Sequence, residues 1–247
     1  MKLSRIMLLV KCAVIIAIFN SCGSIYYVPN AQNVPLLTKK DEAVLSANLA
    51  ITEETSAVKL NGAYAFADQF GVIGSYSMIG ERGEEIFPER KKRKANVYDV
   101  GLIYFLPFGK SFMPSGKKLV FETTFGYGGG TILNNADNVL TERVDFNNIY
   151  FQPALGYVTK RFELAFSVKY NYITYINLAL RKNSPSYPLN RGYSFLEPAI
   201  TIRYGWEKIK FQNQILISHE MSESNLSRDR VNINFGLFFK ISGKSAN

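Results

Sequence analysis

Histidine is nearly absent from this chain, with one residue in 247, and cysteine is almost as scarce, with two. Tetrahedral zinc needs four nitrogen or sulfur ligands, so the metal-centre classes built on His and Cys are excluded, and no cofactor is implied. Cys12 lies in a leader-like N-terminus, so the only mature cysteine is Cys22, which has no intramolecular disulfide partner. Long apolar runs are missing too. The longest, residues 6–19, is interrupted by Lys11 and Cys12 and falls short of the ~20 residues that a membrane-spanning helix needs. Tyr127-Gly-Gly-Gly130 is the only glycine run, and it lacks the Lys-Ser/Thr and the helix of a phosphate-binding loop. It reads as a flexible exit from a strand.

What the chain does have is alternation. In Phe162, Leu164, Phe166, Val168, Tyr170 and Tyr172 the apolar side chains occupy every second position, with Glu163, Ala165, Ser167, Lys169 and Asn171 between them. Period two is the signature of a strand, whose successive side chains point to opposite faces. About ten such stretches are expected, at 43–52, 57–67, 70–80, 95–106, 118–128, 148–158, 161–174, 193–204, 208–218 and 230–241. Each is close to the ~9–11 residues with which a tilted strand crosses a bilayer. Short connections such as 67–69, 159–160 and 206–207 alternate with longer ones at 81–94, 175–192 and 219–229, while 53–56 is short for an outer loop and 107–117 long for a periplasmic turn. The bulky faces carry Phe121, Phe125, Tyr127, Tyr98, Leu102 and Tyr104, and the other faces are small and neutral (Ser46, Asn48, Asn61, Ser75, Ser77, Gly156). A soluble barrel would turn that bulk inward and fill its wet face with Lys and Glu. The predicted fold is therefore all-β, a transmembrane antiparallel up-and-down β-barrel of about ten strands.

The N-terminus combines Lys2 and Arg5 with an apolar stretch that ends in Ser21-Cys22, the layout of a lipoprotein leader. The expected organisation is signal peptide 1–21, periplasmic tether 22–41 and barrel 42–247, with both termini periplasmic and Cys22 acylated. Cleavage at that point removes three positive charges and no acid, leaving +6 of the formal +9. Export separates the chain from nucleic acid and makes lipid head groups the nearer counter-charge. No acidic cluster follows Cys22, so the acyl chains are expected in the inner leaflet of the outer membrane. The expected partners are outer-membrane lipid and the assembly machinery. If assembly uses a terminal aromatic signal, Phe239 or Ile241 must supply it from inside the chain, because the last strand stops short of Asn247.

Together, Ser21-Cys22, the Tyr27-Val-Pro-Asn30 and Val34-Pro-Leu-Leu37 segments and the alternating strands resemble a group of small outer-membrane β-barrel lipoproteins of Bacteroidota. That resemblance implies an outer-membrane location and a non-enzymatic or unassigned role. It brings no catalytic residues with it.

Candidate sites follow from charge. Lys59, Asp99, Glu122, Glu163, Lys169, Glu197, Arg203, Lys208, Lys210 and Lys240 are placed on inward faces, where they either plug the barrel as a salt-bridged core or line a narrow path for small anions. Glu163 with Arg203 and Lys169 with Glu197 share one index sum, so one antiparallel register sets both pairs across the seventh and eighth strands. The run Arg90, Lys91, Lys92, Arg93, Lys94 suits lipopolysaccharide phosphates at the outer face. Ser218-His219-Glu220 invites a hydrolase reading, but adjacent strand residues face opposite ways, and a surface histidine is the simpler reading. The leading function is a structural or interaction barrel, and the alternative is a narrow channel.

Overall fold

In the computed structural model, residues 26–52, 55–81, 92–109, 116–136, 139–180, 192–222, 226 and 228–242 are described. The strands are β1 (Glu42–Thr52), β2 (Thr55–Ala65), β3 (Phe70–Glu81), β4 (Lys92–Phe108), β5 (Lys118–Ala136), β6 (Val139–Val158), β7 (Phe162–Leu180), β8 (Gly192–Gly205), β9 (Ile209–Ile217), the short β10 (His219–Glu220) and β11 (Val231–Ser242). Each pairs antiparallel with its sequence neighbour from β1 to β9, β11 pairs with both β9 and β1, and the sheet closes on itself. Counting β9 and β10 as one stave, the described residues form a closed up-and-down barrel of ten. Closure leaves no open edge, which is what a sheet in hydrocarbon requires.

Burial alternates along the staves as the sequence pattern predicts. Leu45, Leu60, Leu102, Phe125, Phe166, Ile200, Phe211 and Phe235 are exposed on the outside, while Ser46, Asn61, Thr124, Ser167, Thr201 and Asn234 are buried inside. Aromatics cluster at both margins of this apolar band. Tyr64, Phe70, Tyr204 and Trp206 ring the end with the short turns, and Tyr76, Tyr98, Tyr127 and Tyr172 lie toward the other end. An outward apolar band between aromatic girdles is the lipid-facing surface of a membrane barrel.

The β7–β8 register is the expected one: Glu163 faces Arg203, Lys169 faces Glu197, and Leu164, Phe166 and Tyr170 face Ile202, Ile200 and Leu196. A slip of one residue would turn this aromatic face into the lumen.

Four expectations need correction. The glycine run does not end the fifth strand, because β5 continues through Gly128–Gly130 to Ala136 and pairs with a β6 that starts at Val139. Glycine is needed there for space: a Cβ on Gly128 would stand 2.3 Å from Asp99 Oδ1, and one on Gly130 would meet the Phe146 ring at 3.1 Å. Lys208 is not luminal, because the β8–β9 turn exposes it to solvent. Residues 26–37 are not a periplasmic tether, since every one of them is buried inside the barrel. With them moves the expected position of the N-terminal side. Tyr26 lies at the mouth with the long connections, whereas β11 ends at Ser242 beside Glu42 at the opposite mouth.

Candidate functional site: a polar lumen that holds an extended strap

A barrel of about eight strands is filled by its own side chains, and two more strands widen the bore beyond what side chains fill. Here the extra space is occupied by the chain itself. Residues 26–37 run down the lumen from the long-connection mouth to the short-turn mouth, turn at 38–41 and continue into β1. Pro29 and Pro35 keep this strap out of the sheet, since proline has no N–H to give to a ladder. Asp41, with φ 59°, completes the reversal, and its N–H donates to the Ala65 carbonyl at 2.8 Å.

A peptide away from water must satisfy its backbone groups, and an unpaired strap cannot do so by itself. The wall supplies the partners. Tyr175 Oη donates to the Tyr26 carbonyl at 2.8 Å, Asn232 Nδ2 to Pro29 at 2.6 Å, and Lys59 Nζ to Ala31. Gln214 grips Gln32 twice, accepting from its N–H at 2.8 Å and donating to its carbonyl at 3.1 Å. Gln152 Nε2 donates to Asn33 at 2.8 Å and Arg203 Nη2 to Val34 at 2.5 Å, while the Glu122 carboxylate accepts from the Leu36 N–H at 2.9 Å. These contacts come from β2, β5, β6, β7, β8, β9 and β11, so the grip surrounds the strap.

The side chains of the strap match the wall zone by zone. Tyr26, Tyr27 and Val28 pack among Ile79, Val97, Ile132, Val144, Phe146 and Phe195 near the long-connection mouth, with the Tyr27 ring stacked on Phe195 at 4.1 Å. Asn30, Gln32 and Asn33 occupy the polar middle, where Ser77, Gln214, Gly62 and Gly74 meet them. Val34 and Leu36 pack on Val120, Ala154, Val158 and Ala165, and Leu37 packs on Val44, Ile73, Ile103, Phe105 and Phe238. Gly156 forms the floor under Leu36, because a Cβ there would lie 2.3 Å from Leu36 Cδ2.

The predicted luminal charges divide into those that pair with one another and those that hold the strap. Glu163 binds Arg203 at 2.9 Å and Lys210 at 2.5 Å, and the Arg203 guanidinium also lies 3.8 Å from the Phe238 ring centre. Lys169 faces Glu197 in register, but its ammonium reaches Asp99 at 3.6 Å and the Tyr150 ring at 4.1 Å. Glu197 is left to accept from the Tyr27 phenol at 2.5 Å and from Ser218 Oγ at 3.0 Å. Lys240 pairs with Glu42 at 2.5 Å. Sequence reasoning missed Glu42, Asp229 and the strap itself. Asp229 Oδ2 accepts from Thr52 and Thr55, and its N–H donates to the Tyr27 carbonyl, so it clasps the strap to the rim.

Ser218 points inward to Glu197, whereas His219 is exposed, so the two do not meet. Of the basic run, Arg90 and Lys91 lie outside the described residues, Lys92 and Arg93 begin β4, and Lys94 is exposed at the long-connection end. Cys22 also lies outside the described residues. Among the described residues, no group of three or more His, Cys, Asp or Glu is placed to hold a metal ion. What remains of the bore among those residues is small. Two internal cavities of about 10 Å³ flank Asp99 and Lys169, and a basin of about 290 Å³ opens at the short-turn mouth between Lys39, Glu42, Lys118, Lys160, Lys210 and Lys240.

No family model and no curated protein matches the chain. Among solved structures, the N-terminal β-barrel domain of Pseudomonas aeruginosa OprF is 8% identical, with a TM-score of 0.37 over 82% of this chain and 98% of that one. KdgM porin is 11% identical, with a TM-score of 0.35 over 79% and 98%. The CymD monoaromatic hydrocarbon channel is 7% identical, with a TM-score of 0.27 over 85% and 90%. At these scores the likeness conveys neither family nor activity, and the closed strand ladder establishes the fold.

Proposed function

We propose that this chain is an outer-membrane β-barrel of structural or interaction type, closed by its own N-terminal strap and anchored further by acylation of Cys22. The observation that carries this reading is the strap, gripped on all sides within the bore. A solute path would need that space. The small cavities beside the strap hold about one water each, so the channel alternative requires the strap to leave. The apolar band and its girdles support membrane insertion, and the three longest connections, 82–91, 181–191 and 221–230, share one mouth and support an orientation with the opposite mouth in the periplasm, against the two-residue turns 53–54 and 137–138 at the first mouth and the longer 109–117 at the second. In that orientation Lys92, Arg93 and Lys94 at the start of β4 stand at the outer face, where lipopolysaccharide phosphates are the charge complementary to the basic run. The chain would then be kin to the Bacteroidota barrel lipoproteins that its sequence resembles.

Fractionation tests the reading. The full chain should co-purify with outer membranes, migrate faster on gels when unheated than when boiled, and incorporate a palmitate analogue. Cys22→Ala should lose the label and keep the membrane association, because about ten lipid-facing strands hold far more firmly than acyl chains do. A chain that fractionates as soluble and shows no heat-dependent mobility would overturn the membrane reading. Label that persists in Cys22→Ala would overturn the anchor.

A further inference from the structure

We infer that this protein threads its own barrel, so that the strap enters at Tyr26 from the outer face while the end of β11 stands at the inner one. The inference rests on the membrane reading above for which face is outer. The direction of the thread comes from contacts. From Tyr26 to Thr38 the strap meets, in order, Tyr175, Glu197 and Asn171, Asn232, Ser77, Lys59, Gln214, Gln152, Arg203, Glu122 and Glu42. On the two staves that give two of these contacts, β7 (Tyr175, then Asn171) and β8 (Glu197, then Arg203), that order descends from the long-connection end toward the short-turn end. Tyr175 lies near the far end of β7, and Glu42 opens β1 at the near end.

The strap and β1 therefore form a hairpin whose bend is at the short-turn mouth and whose free arm crosses the whole wall. Residues 26–37 are long enough for this, since an extended chain of that length reaches roughly 40 Å. The upper arm is held in place. Tyr27 donates to Glu197, stacks on Phe195 and forms a β-bridge with Arg228, and the Asp229 N–H clasps its carbonyl. Pulled back toward the periplasm, the arm would have to drag two tyrosines through the polar middle and give up each of these contacts.

The consequence concerns the anchor. Cys22 is four positions ahead of Tyr26, at most about 14 Å of extended chain. Tyr26 already packs with Ile79 and Tyr175, beyond the row of Tyr76, Tyr98 and Tyr127 that marks the upper girdle. An acyl group on Cys22 would thus belong to the long-connection side of the barrel, the side of the outer leaflet, and not to the short-turn side. The lack of acidic residues after Cys22, which favours the inner leaflet, is outweighed by the threading. The barrel wall itself would carry the N-terminal flank across the membrane.

The experiment places a short epitope between Gly23 and Ser24 of the full chain, with two companions: one after Asn247 and one between Ser184 and Pro185 in the β7–β8 connection. Antibody is applied to intact cells and then to permeabilised ones. The expected result is binding on intact cells at the Gly23–Ser24 and β7–β8 positions, and binding after Asn247 only once cells are opened. Intact cells that bind at β7–β8 but not at Gly23–Ser24 would overturn the threading and leave the membrane reading standing. Intact cells that bind at neither would overturn the orientation underneath it. Because an epitope near the strap can disturb assembly, Ser24→Lys repeats the measurement with a single residue. Residues 22–38 contain no lysine, so the introduced side chain is the sole lysine amine of that segment. A membrane-impermeant amine reagent should mark position 24 of this variant on intact cells to the same extent as on permeabilised ones. A mark at that position that appears only after permeabilisation would overturn the inference.

Discussion

Deleting residues 26–37 is expected to convert a non-conducting barrel into one that carries steady unitary currents in a planar bilayer. The ten staves do not depend on the strap for their ladder hydrogen bonds, which run from neighbour to neighbour around the ring. The inner wall left behind carries Ser, Thr, Asn, Gln and paired charges through its middle, which water can solvate, and apolar clusters around Phe146 and Phe195 toward one mouth and around Phe105 and Val120 toward the other. The shortened barrel should still insert and still show heat-dependent mobility. It should also unfold at lower denaturant, because the apolar burial of Tyr26, Tyr27, Val28, Val34, Leu36 and Leu37 is lost, each worth about 1.5–3 kcal/mol when fully buried. A Gly/Ser segment of equal length in place of 26–37 separates occupancy from fit: if the full chain is silent and both variants conduct, the native side chains close the bore. Equal currents from the full chain and the deletion would show that the strap does not close it.

The second large effect is expected at Glu163. This carboxylate is buried and balances two cations, Arg203 and Lys210. Glu163→Ala leaves both buried cations without this counter-charge, at the floor of the basin that opens at the short-turn mouth, and breaking a buried pair in this way costs about 3–5 kcal/mol. The loss should appear as a lower denaturant midpoint of the heat-modifiable form. Arg143→Ala provides the contrast. Its 3.1 Å pair with Asp145 has a side chain 54% exposed, and pairs of that kind are worth about 0–1 kcal/mol. Similar midpoints for Glu163→Ala and Arg143→Ala would mean that the Glu163 cluster is solvated and that the lumen around it is not filled.

The staves were legible because each has one face toward lipid and one toward the lumen, and that difference writes period two into the sequence. The β7–β8 register was legible for a further reason: two opposite-charge pairs share it, and a slip would lose both. The ion pairing itself was half legible. Glu163 and Arg203 do pair, but Lys169 reaches Asp99 on β4, and the strap tyrosine takes its place at Glu197. The strap was not legible as a buried element, because it is enclosed on every side and so has no exposed face to alternate with. Pro29 and Pro35 made it read as a linker. One signal was available: residues 22–38 contain no charged side chain, which suits the inside of a barrel better than a tether in water. The extent of β5 and β6 was hidden by glycines that serve as clearance for Asp99 and Phe146 and do not end the strand.

The central claim is that the strap lies inside the bore, and a disulfide measures it directly. Gly156 on β6 and Leu36 on the strap are in contact, with a Cβ at 156 standing 3.1 Å from Leu36 Cγ. Cysteines at both positions, in a Cys12→Ala/Cys22→Ala background, therefore stand side by side, close to the ~3.5–4.5 Å Cβ separation that a disulfide needs. Mild oxidation of the folded protein in membranes should give a cross-linked species that migrates apart from the reduced one on a denaturing gel and is inert to thiol reagents. Two thiols that stay free and react with a water-soluble maleimide in the folded barrel would contradict the account.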